Sequence, residues 1–401
     1  MRVRFINSNE PVTTFYRDLV PFLSDEGHDI EIITSQAEYR LGRDLDSALS
    51  GIDGVEIFKT NALGVKEFNK TTRSKLIVRS MYAIHGFVRL LFGPRADVNV
   101  FLTQPPFFHV VGAFIKRLRN QEYVCVVMDV QPQQYVEFGL LSEGSLQTRM
   151  LEKISSYGYR RARAVIVIGR CMKERLREMG VADERIHIVP NWTDEQAAKP
   201  IPASENRFRS DHGWGEKVVI TYGGNIGFAQ DFDCFIEVAE RLRHRLDLLF
   251  VLIGGGARAA KYEAIVKERE LENFYILPFQ HGEYSLDEIY GAGDLHFISL
   301  RPSCTGLGVP SKAYNSLAAG RPIVYFGSSE SEIARMVTED EVGSAVTNVQ
   351  ELEEAVLSYV EDAALREAHG LNARAISEGN YSRANAMYRY KKVLEGRSPS
   401  D

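Results

Sequence analysis

The chain has 401 residues, 44% hydrophobic and 25% charged, with a formal net charge of −6; that length suits two domains with a buried core each, and that charge gives no global case for a nucleic-acid partner. Its four cysteines, Cys125, Cys171, Cys234 and Cys304, are far apart and form no CxxC pair, which speaks against a zinc site or a disulfide framework and fits a reducing cytoplasm. Met1 runs straight into an apparent strand, leaving no room for a signal peptide, and no apolar run approaches the roughly 18 residues of a spanning helix.

The N-terminal half opens with strand-like Val3–Ile6, a helical pattern over Phe15–Glu26 and strand-like Ile30–Thr34. This βαβ grammar predicts a parallel sheet with ligands at the carboxyl ends of its strands. The intervening loop, residues 7–14, reads as a plain β–α turn or as part of a ligand site. Residues 59–95 hold eight basic residues against one acid, Glu67, so the stretch carries +7 and the remainder −13. Within it, LIVRSMYAIHGFVRLLF spaces Arg79 and Arg89 among apolar side chains. That pattern suits an interfacial helix on an anionic membrane surface, or a core helix with a solvated basic edge.

Val98–Leu102 is the next strand, followed by a helix carrying His109, and Tyr123–Met128 is a strongly apolar strand that ends in Asp129. An acid at the carboxyl end of a central strand can bind or deprotonate an acceptor hydroxyl, or it can cap a helix or pair with a loop cation. His109 is a candidate on the acceptor side, against the plain reading of a packed histidine on an apolar helix. Ala164–Ile168, a helix reaching Met179 and Ile186–Val189 complete this half. It closes with PNWTD (Pro190–Asp194) and a polar, proline-bearing connector. The domain limits expected are 1–195, 196–380 and a terminal helix with a disordered tail over 381–401.

The second half begins with Val218–Tyr222 and GGNIGFAQDFD. Gly223, Gly224 and Gly227 stand between strand and helix, where backbone N–H groups can face a phosphate without side-chain obstruction. Leu248–Ile253 leads into GGGARA, Gly254–Ala259, a weak dinucleotide-like fingerprint. The strand after it, Phe274–Leu277, does not end in the required acid, so the loop around Gly255 lies beside a nucleotide base or is only a turn. The densest stretch is TGLGVPSKAYNSLAAGRPIVYF, Thr305–Phe326. Here Gly306 and Gly308 leave backbone open, Pro310 fixes φ at a helix start, and Ser311 and Lys312 stand in the first turn, where the dipole and the ammonium favour an anion. Gly320 ends the helix before the strand Ile323–Phe326. Glu330 and Glu332 follow at the head of another helix, where acids are ordinary helix-start charge or candidate ligands. Glu351–Ser377 and Tyr381–Glu395 read as helices.

The run PSKxxNxLAxGRP resembles the donor-binding helix of retaining GT-B glycosyltransferases of family four, in the branch that assembles bacterial O-antigen, capsule or colanic-acid-type polysaccharides. Its sixth residue is Asn315, where most relatives carry a Glu that clamps the nucleotide ribose. GNIG and AQ resemble the same branch, with Asn225 and Gln230 at the places where most of the family has an Arg and a Lys for the diphosphate. LVPFLSDEGHDIEIIT, DVQPQQYVEFGLL and PNWTD resemble the family's first helix and second strand, acceptor-side loop and hinge, and YSRANAMYRYKKVLE (Tyr381–Glu395) resembles its terminal helix, which crosses back onto the first domain. Relatives carry an aromatic-Pro pair where this chain has Gln131-Pro132, and many have a glycine pair that residues 7–14 lack.

The resemblance implies an α/β fold of two Rossmann-like domains around an interdomain cleft. It implies a nucleotide-diphosphate sugar as donor, with Lys312 and Asp129 as catalytic residues. The donor side comprises Gly223, Gly224, Asn225, Gly227, Gln230, Gly255, Arg301, Gly308, Pro310, Ser311, Asn315 and Glu332. It further implies retention of configuration, no metal and no cofactor, a lipid-linked or saccharide acceptor, and a cytoplasmic, peripheral location. Two other readings stay open: a nucleotide-sugar epimerase of the same fold, and a membrane-docked binding protein whose donor site has decayed. Incubation with donor alone separates the first, and donor calorimetry the second.

Overall fold

Short runs of Val, Ile, Phe and Tyr, buried on both faces, become parallel strands, and the amphipathic stretches between them become the covering helices. The computed structural model describes residues 1–8, 14–35, 49, 51–60, 72–280 and 282–399, with residues 14 and 72–79 as backbone. The chain divides into two units, Met1–Val189 with Met387–Asp401, and Pro190–Ala386.

The first unit contains β1 (Arg2–Ile6), α1 (Thr14–Asp25), β2 (Asp29–Ser35), β3 (Val55–Thr60), α2 (Thr72–Phe92), β4 (Val98–Phe101), α3 (His109–Arg119), β5 (Glu122–Val127), α4 (Gln133–Glu137), α5 (Leu146–Arg161), β6 (Ala164–Val167), α6 (Arg170–Glu178) and β7 (Ile186–Ile188). Its sheet has the order β3-β2-β1-β4-β5-β6-β7, with parallel pairing throughout. The end of the chain belongs to this unit: Tyr390 is fully buried, edge-to-face with Phe15 at 5.3 Å, and Arg163 donates to the Leu394 carbonyl at 2.6 Å.

The second unit contains α7 (Arg207–Asp211), β8 (Val218–Asn225), α8 (Asp233–Arg241), β9 (Leu248–Gly255), α9 (Ala259–Glu268), β10 (Phe274–Leu277), α10 (Leu286–Gly291), β11 (Leu295–Ser299), α11 (Lys312–Ala318), β12 (Ile323–Phe326), α12 (Glu332–Glu339), β13 (Gly343–Val346), α13 (Val349–Glu361), α14 (Ala363–Glu378) and α15 (Arg383–Leu394), whose second half passes into the first unit. The sheet order is β10-β9-β8-β11-β12-β13, again parallel. Its core is aromatic, with Phe235 stacked on Phe297 at 4.3 Å. Strand order reverses between β1 and β4 in the first sheet and between β8 and β11 in the second, and parallel sheets leave a crevice outside the carboxyl ends at such a reversal.

Three expectations are corrected. The strands β8 and β9 do not stop before their glycines: the ladder continues through Gly223↔Ile253, Gly224↔Gly254 and Asn225↔Gly255, because backbone pairing needs no side chain. The single helix expected over Glu351–Ser377 is two, broken where Asp362 turns extended and its side chain accepts the Leu365 N–H at 2.9 Å. The helix after Pro310 begins at Lys312, with Ser311 as the preceding residue and no side-chain cap. All four cysteines are buried and none forms a disulfide with another. Among the described residues no helix is long and apolar enough to cross a membrane.

Candidate active site

In the second unit the predicted donor residues gather at the strand-order reversal. Lys312 opens α11 with its aliphatic stem laid across Gly224: a β-carbon at 224 would stand 2.6 Å from Lys312 Cε, and φ there is +152°. No carboxylate pairs with Lys312 among the described residues, and burial lowers its ammonium below the ordinary 10.5. A cation in the first turn also opposes the helix dipole. Burial, the missing partner and the dipole all work against this charge in the free protein, and each is relieved by a bound anion.

The glycines do different work from that expected. Gly223 and Gly224 are ladder residues, the Gly227 N–H is taken by Gln230 Oε1 at 3.2 Å, and the Ile226 N–H by the Gly255 carbonyl at 2.8 Å. Their small size permits chain-to-chain packing. A β-carbon at Gly254 would lie 1.8 Å from the Gly224 carbonyl oxygen, and one at Gly227 would strike the Asn225 amide at 2.6 Å. The Phe279 ring covers Gly255, 3.4 Å from where a β-carbon would stand.

Two other predicted residues, Arg301 and Asn315, join this patch through hydrogen bonds. Arg301 donates its backbone N–H to the Ala229 carbonyl at 2.9 Å, which ties the loop after β11 to the loop after β8. Asn315 accepts from Thr193 Oγ1 at 2.5 Å and also hydrogen-bonds Tyr290, whose hydroxyl donates to the Gly223 carbonyl at 3.1 Å. Burial pushes that hydroxyl up to about 12. Tyr290 is a residue that sequence reasoning missed, since its partners lie 67 positions upstream and 25 downstream with no motif between them. Gly308 and Pro310 are half-buried and Ser311 exposed in the segment leading into α11. Glu332 is buried at the first position of α12, where Ser331 caps the helix by accepting the Ala334 N–H at 3.1 Å. Gly320 closes α11 at φ +64°, with Gly320 N–H on the Leu317 carbonyl and Arg321 N–H on the Ser316 carbonyl, a Schellman turn.

In the first unit, Asp129 lies just past β5, half-buried, with Oδ1 accepting from Gln134 Nε2 at 2.7 Å. Burial raises its pKa and the Gln134 bond offsets part of the rise. No cation pairs with it among the described residues. His109 is buried and stacked on Tyr159 at 4.1 Å, with Nε2 against the Ser155 carbonyl at 3.2 Å, and burial holds its pKa down to about 4. Ser155 Oγ in turn donates to the Gln131 carbonyl at 3.0 Å, so His109 supports the Asp129 loop from within the unit. Of residues 7–14, positions 9–13 lie outside the described residues, as do 61–71 of the basic stretch and the side chain of Arg79. Arg89 is spent internally, on Glu31 at 2.8 Å and over the Phe58 ring. Among the described residues no three His, Cys, Asp or Glu side chains cluster as metal ligands.

Two family models match: a glycosyl transferase 4-like domain over residues 12–192 and glycosyl transferases group 1 over residues 217–362. Similar curated proteins include the putative colanic acid biosynthesis glycosyl transferase WcaI of Escherichia coli K12, 24% identical over 94% of this chain and 95% of its own. Another is the probable glycosyltransferase WbjE of Pseudomonas aeruginosa, 27% identical over 69% of this chain and 70% of its own. Among solved structures, HepE of Anabaena in complex with UDP shares the fold at TM-score 0.72 and 14% identity, covering 98% of this chain and 100% of its own. Sucrose-phosphate synthase of Thermosynechococcus elongatus does so at TM-score 0.75 and 13% identity, covering 98% of each chain. With matched domains in both halves and two parallel sheets of this order, the chain belongs to the GT-B glycosyltransferases, a glycosyl transferase 4-like domain followed by a group 1 domain.

Proposed function

We propose that this glycosyltransferase moves a sugar from a nucleoside-diphosphate donor to a hydroxyl of a lipid-linked or saccharide intermediate in polysaccharide assembly, with retention of configuration and without a metal. The observation that carries the donor assignment is Lys312, a half-buried ammonium at a helix start, with its stem on Gly224 and no carboxylate partner among the described residues. HepE, which was crystallised with UDP and with UDP-glucose, supports a nucleoside-diphosphate donor, and the names of WcaI and WbjE support the polysaccharide context.

In this reading the bond from the anomeric carbon to the phosphate oxygen breaks, and its electron pair stays on the departing diphosphate. Lys312 meets the charge that develops there, so its contribution is larger in the transition state than in the ground state. Arg301, Ser311 and the loop of Gly223, Gly224, Asn225, Gly227 and Gln230 line the diphosphate side. Gly255, Asn315 and Glu332 serve the nucleoside and the sugar, with Gly308 and Pro310 shaping the approach to Lys312. On the acceptor side Asp129 accepts a hydrogen bond from the incoming hydroxyl and takes up its proton as the new bond to carbon forms; its raised pKa makes it a better proton acceptor than an ordinary aspartate. His109 holds the loop that carries Asp129. The reading places the protein in the cytoplasm, in contact with the inner face of the plasma membrane through residues 59–95.

The test compares Lys312→Ala and Asp129→Asn with the parent in donor titration calorimetry and in transfer to an acceptor extract. Lys312→Ala is expected to lose measurable donor heat and to lower turnover by about 10²-fold or more, with its melting temperature retained. Asp129→Asn is expected to bind donor like the parent and to transfer poorly. Parent-like turnover in Lys312→Ala would remove the assignment, and donor consumption without any acceptor would favour the epimerase reading.

A further inference from the structure

The outer faces of α2 and α3 carry apolar side chains that nothing within the unit covers. On α2, Ile84, Val88 and Phe92 recur at every fourth position, one side of a helix, and are 61%, 47% and 77% exposed. On α3, Phe114 and Leu118 repeat the spacing at 52% and 63%. The two helices are fastened at their ends, because Arg119 donates to the Leu90 and Gly93 carbonyls at 2.8 and 3.0 Å. Their exposed rows therefore keep a fixed relation.

Beside this plate, between α3 and α5, lies a depression of about 340 Å³ lined by Lys116, Arg117, Tyr157, Arg160, Arg161 and Arg185. Lys116 is committed to Glu122 at 2.8 Å. The four arginines form no ion pair among the described residues: Arg161 lies over the Tyr157 ring at 3.8 Å, and Arg185 donates to the Arg160 carbonyl at 2.9 Å. Three come from the last turns of α3 and α5, where a cation suits the helix dipole. Helix ends account for one cation each; they do not account for four arginines around one depression on a chain of net charge −6.

We propose that the α2–α3 plate and the arginine depression together form the docking surface for an anionic phospholipid bilayer, with Ile84, Val88, Phe92, Phe114 and Leu118 entering the acyl boundary and Arg117, Arg160, Arg161 and Arg185 holding headgroup phosphates. The occupant follows from charge complementarity: unpaired guanidiniums next to an exposed apolar face match anionic headgroups above an acyl layer. This builds on the membrane contact proposed above and adds to its charge: Arg89 in residues 59–95 is engaged by Glu31, and the depression between α3 and α5 supplies four guanidiniums outside that stretch.

The experiment is flotation of the full chain with vesicles of phosphatidylcholine alone or with phosphatidylglycerol, for the parent and two variants. One is Arg117→Gln/Arg160→Gln/Arg161→Gln; the other is Phe114→Ser/Leu118→Ser. All five positions are exposed, and thermal melts of both variants are expected to match the parent. Loss of about fivefold in partition for each arginine, roughly a hundredfold for the triple variant, is expected on anionic vesicles only. The apolar variant is expected to lose at least as much, and donor titration of both is expected to be unchanged. Flotation undiminished by both the arginine and the Phe114/Leu118 variants but abolished by Ile84→Ser/Val88→Ser would overturn this surface while leaving the contact through residues 59–95 in place. No flotation of the parent on anionic vesicles overturns both. A shift from dimer to monomer in either variant by sedimentation, with flotation unchanged, would show that the face covers a second copy instead.

Discussion

Lys312 and Asp129 are both ionisable groups held without a neutralising partner among the described residues, and they are legible for different reasons. Lys312 sits inside a run whose glycine, proline and helix pattern is local, so a reader of the chain meets the whole motif at once. Asp129 is marked only by its place after a buried strand. Tyr290, which holds Asn315, carries no such local mark, and Thr193 is marked by PNWTD without being marked as a partner of Asn315; tertiary folding alone brings them to it. Two buried histidines give a prediction at this scale. Burial holds His109 and His296 at about 4, against the ordinary 6.5. A histidine lowered in this way contributes its stability in full above pH 6.5, and the contribution is lost as pH falls toward 4, because the unfolded chain binds the proton and the native one does not. His28, His187 and His369 are shifted in the same direction. For His109 and His296 stability is therefore expected to fall as pH drops from 6.5 to 5, with a slope approaching about 1.4 kcal/mol per pH unit for each. Denaturant midpoints across that range check this, and His109→Gln is expected to remove one proton's worth of the slope from the first unit. An unchanged slope would mean that His109 is protonated in the native state.

At the scale of elements, nearly every central strand was visible as an apolar run, and the strands that escaped notice are sheet edges. β3 reads VEIFKT and is only half-buried along most of its length, and β13 reads GSAV, where Val346 alone favours a strand. Edge strands need only one neighbour and one covered face, so their sequences carry less signal. The ends of β8 and β9 were shortened for a related reason, since glycines look like loop in a sequence but can serve a ladder. Their substitution separates two kinds of crowding. Gly254→Ala would drive a methyl group into the Gly224 carbonyl, backbone against backbone, at 1.8 Å. Gly224→Ala would meet the movable stem of Lys312 at 2.6 Å. Both also strain a positive φ, +158° at Gly254 and +152° at Gly224, a cost of about 1–3 kcal/mol. Gly254→Ala is expected to be the less stable by thermal melt and to accumulate poorly. Gly224→Ala is expected to fold and to lose donor affinity as the ammonium shifts. Equal stabilities would show that the two chains separate more easily than their packing indicates.

On the scale of the whole molecule, the two-sheet architecture and its parallel strands followed from the alternation of patterns, and the reversal points then locate the ligand ends. That Met387–Asp401 folds with the first unit is legible in the sequence only through the resemblance of its terminal helix, because the reason is tertiary: Tyr390, Val393 and Leu394 are buried there and Lys392 is nearly so. Truncation after Ala386 is expected to uncover Phe15 and to release Arg163 from its carbonyls, lowering the melting of the first unit and sparing the second. Calorimetry that resolves two transitions reads this directly, and equal loss in both would contradict it.

This return of the chain has a consequence during biosynthesis. The ribosome delivers the seven strands of the first sheet and then roughly 200 further residues before the segment carrying Tyr390 emerges, an interval of about 10–40 s at ordinary elongation rates. Throughout it the nascent first unit presents an unfilled apolar seat around Phe15 while the second unit can already be complete. The later-made unit can thus finish first, and the seat is the place where a holding chaperone would be recruited.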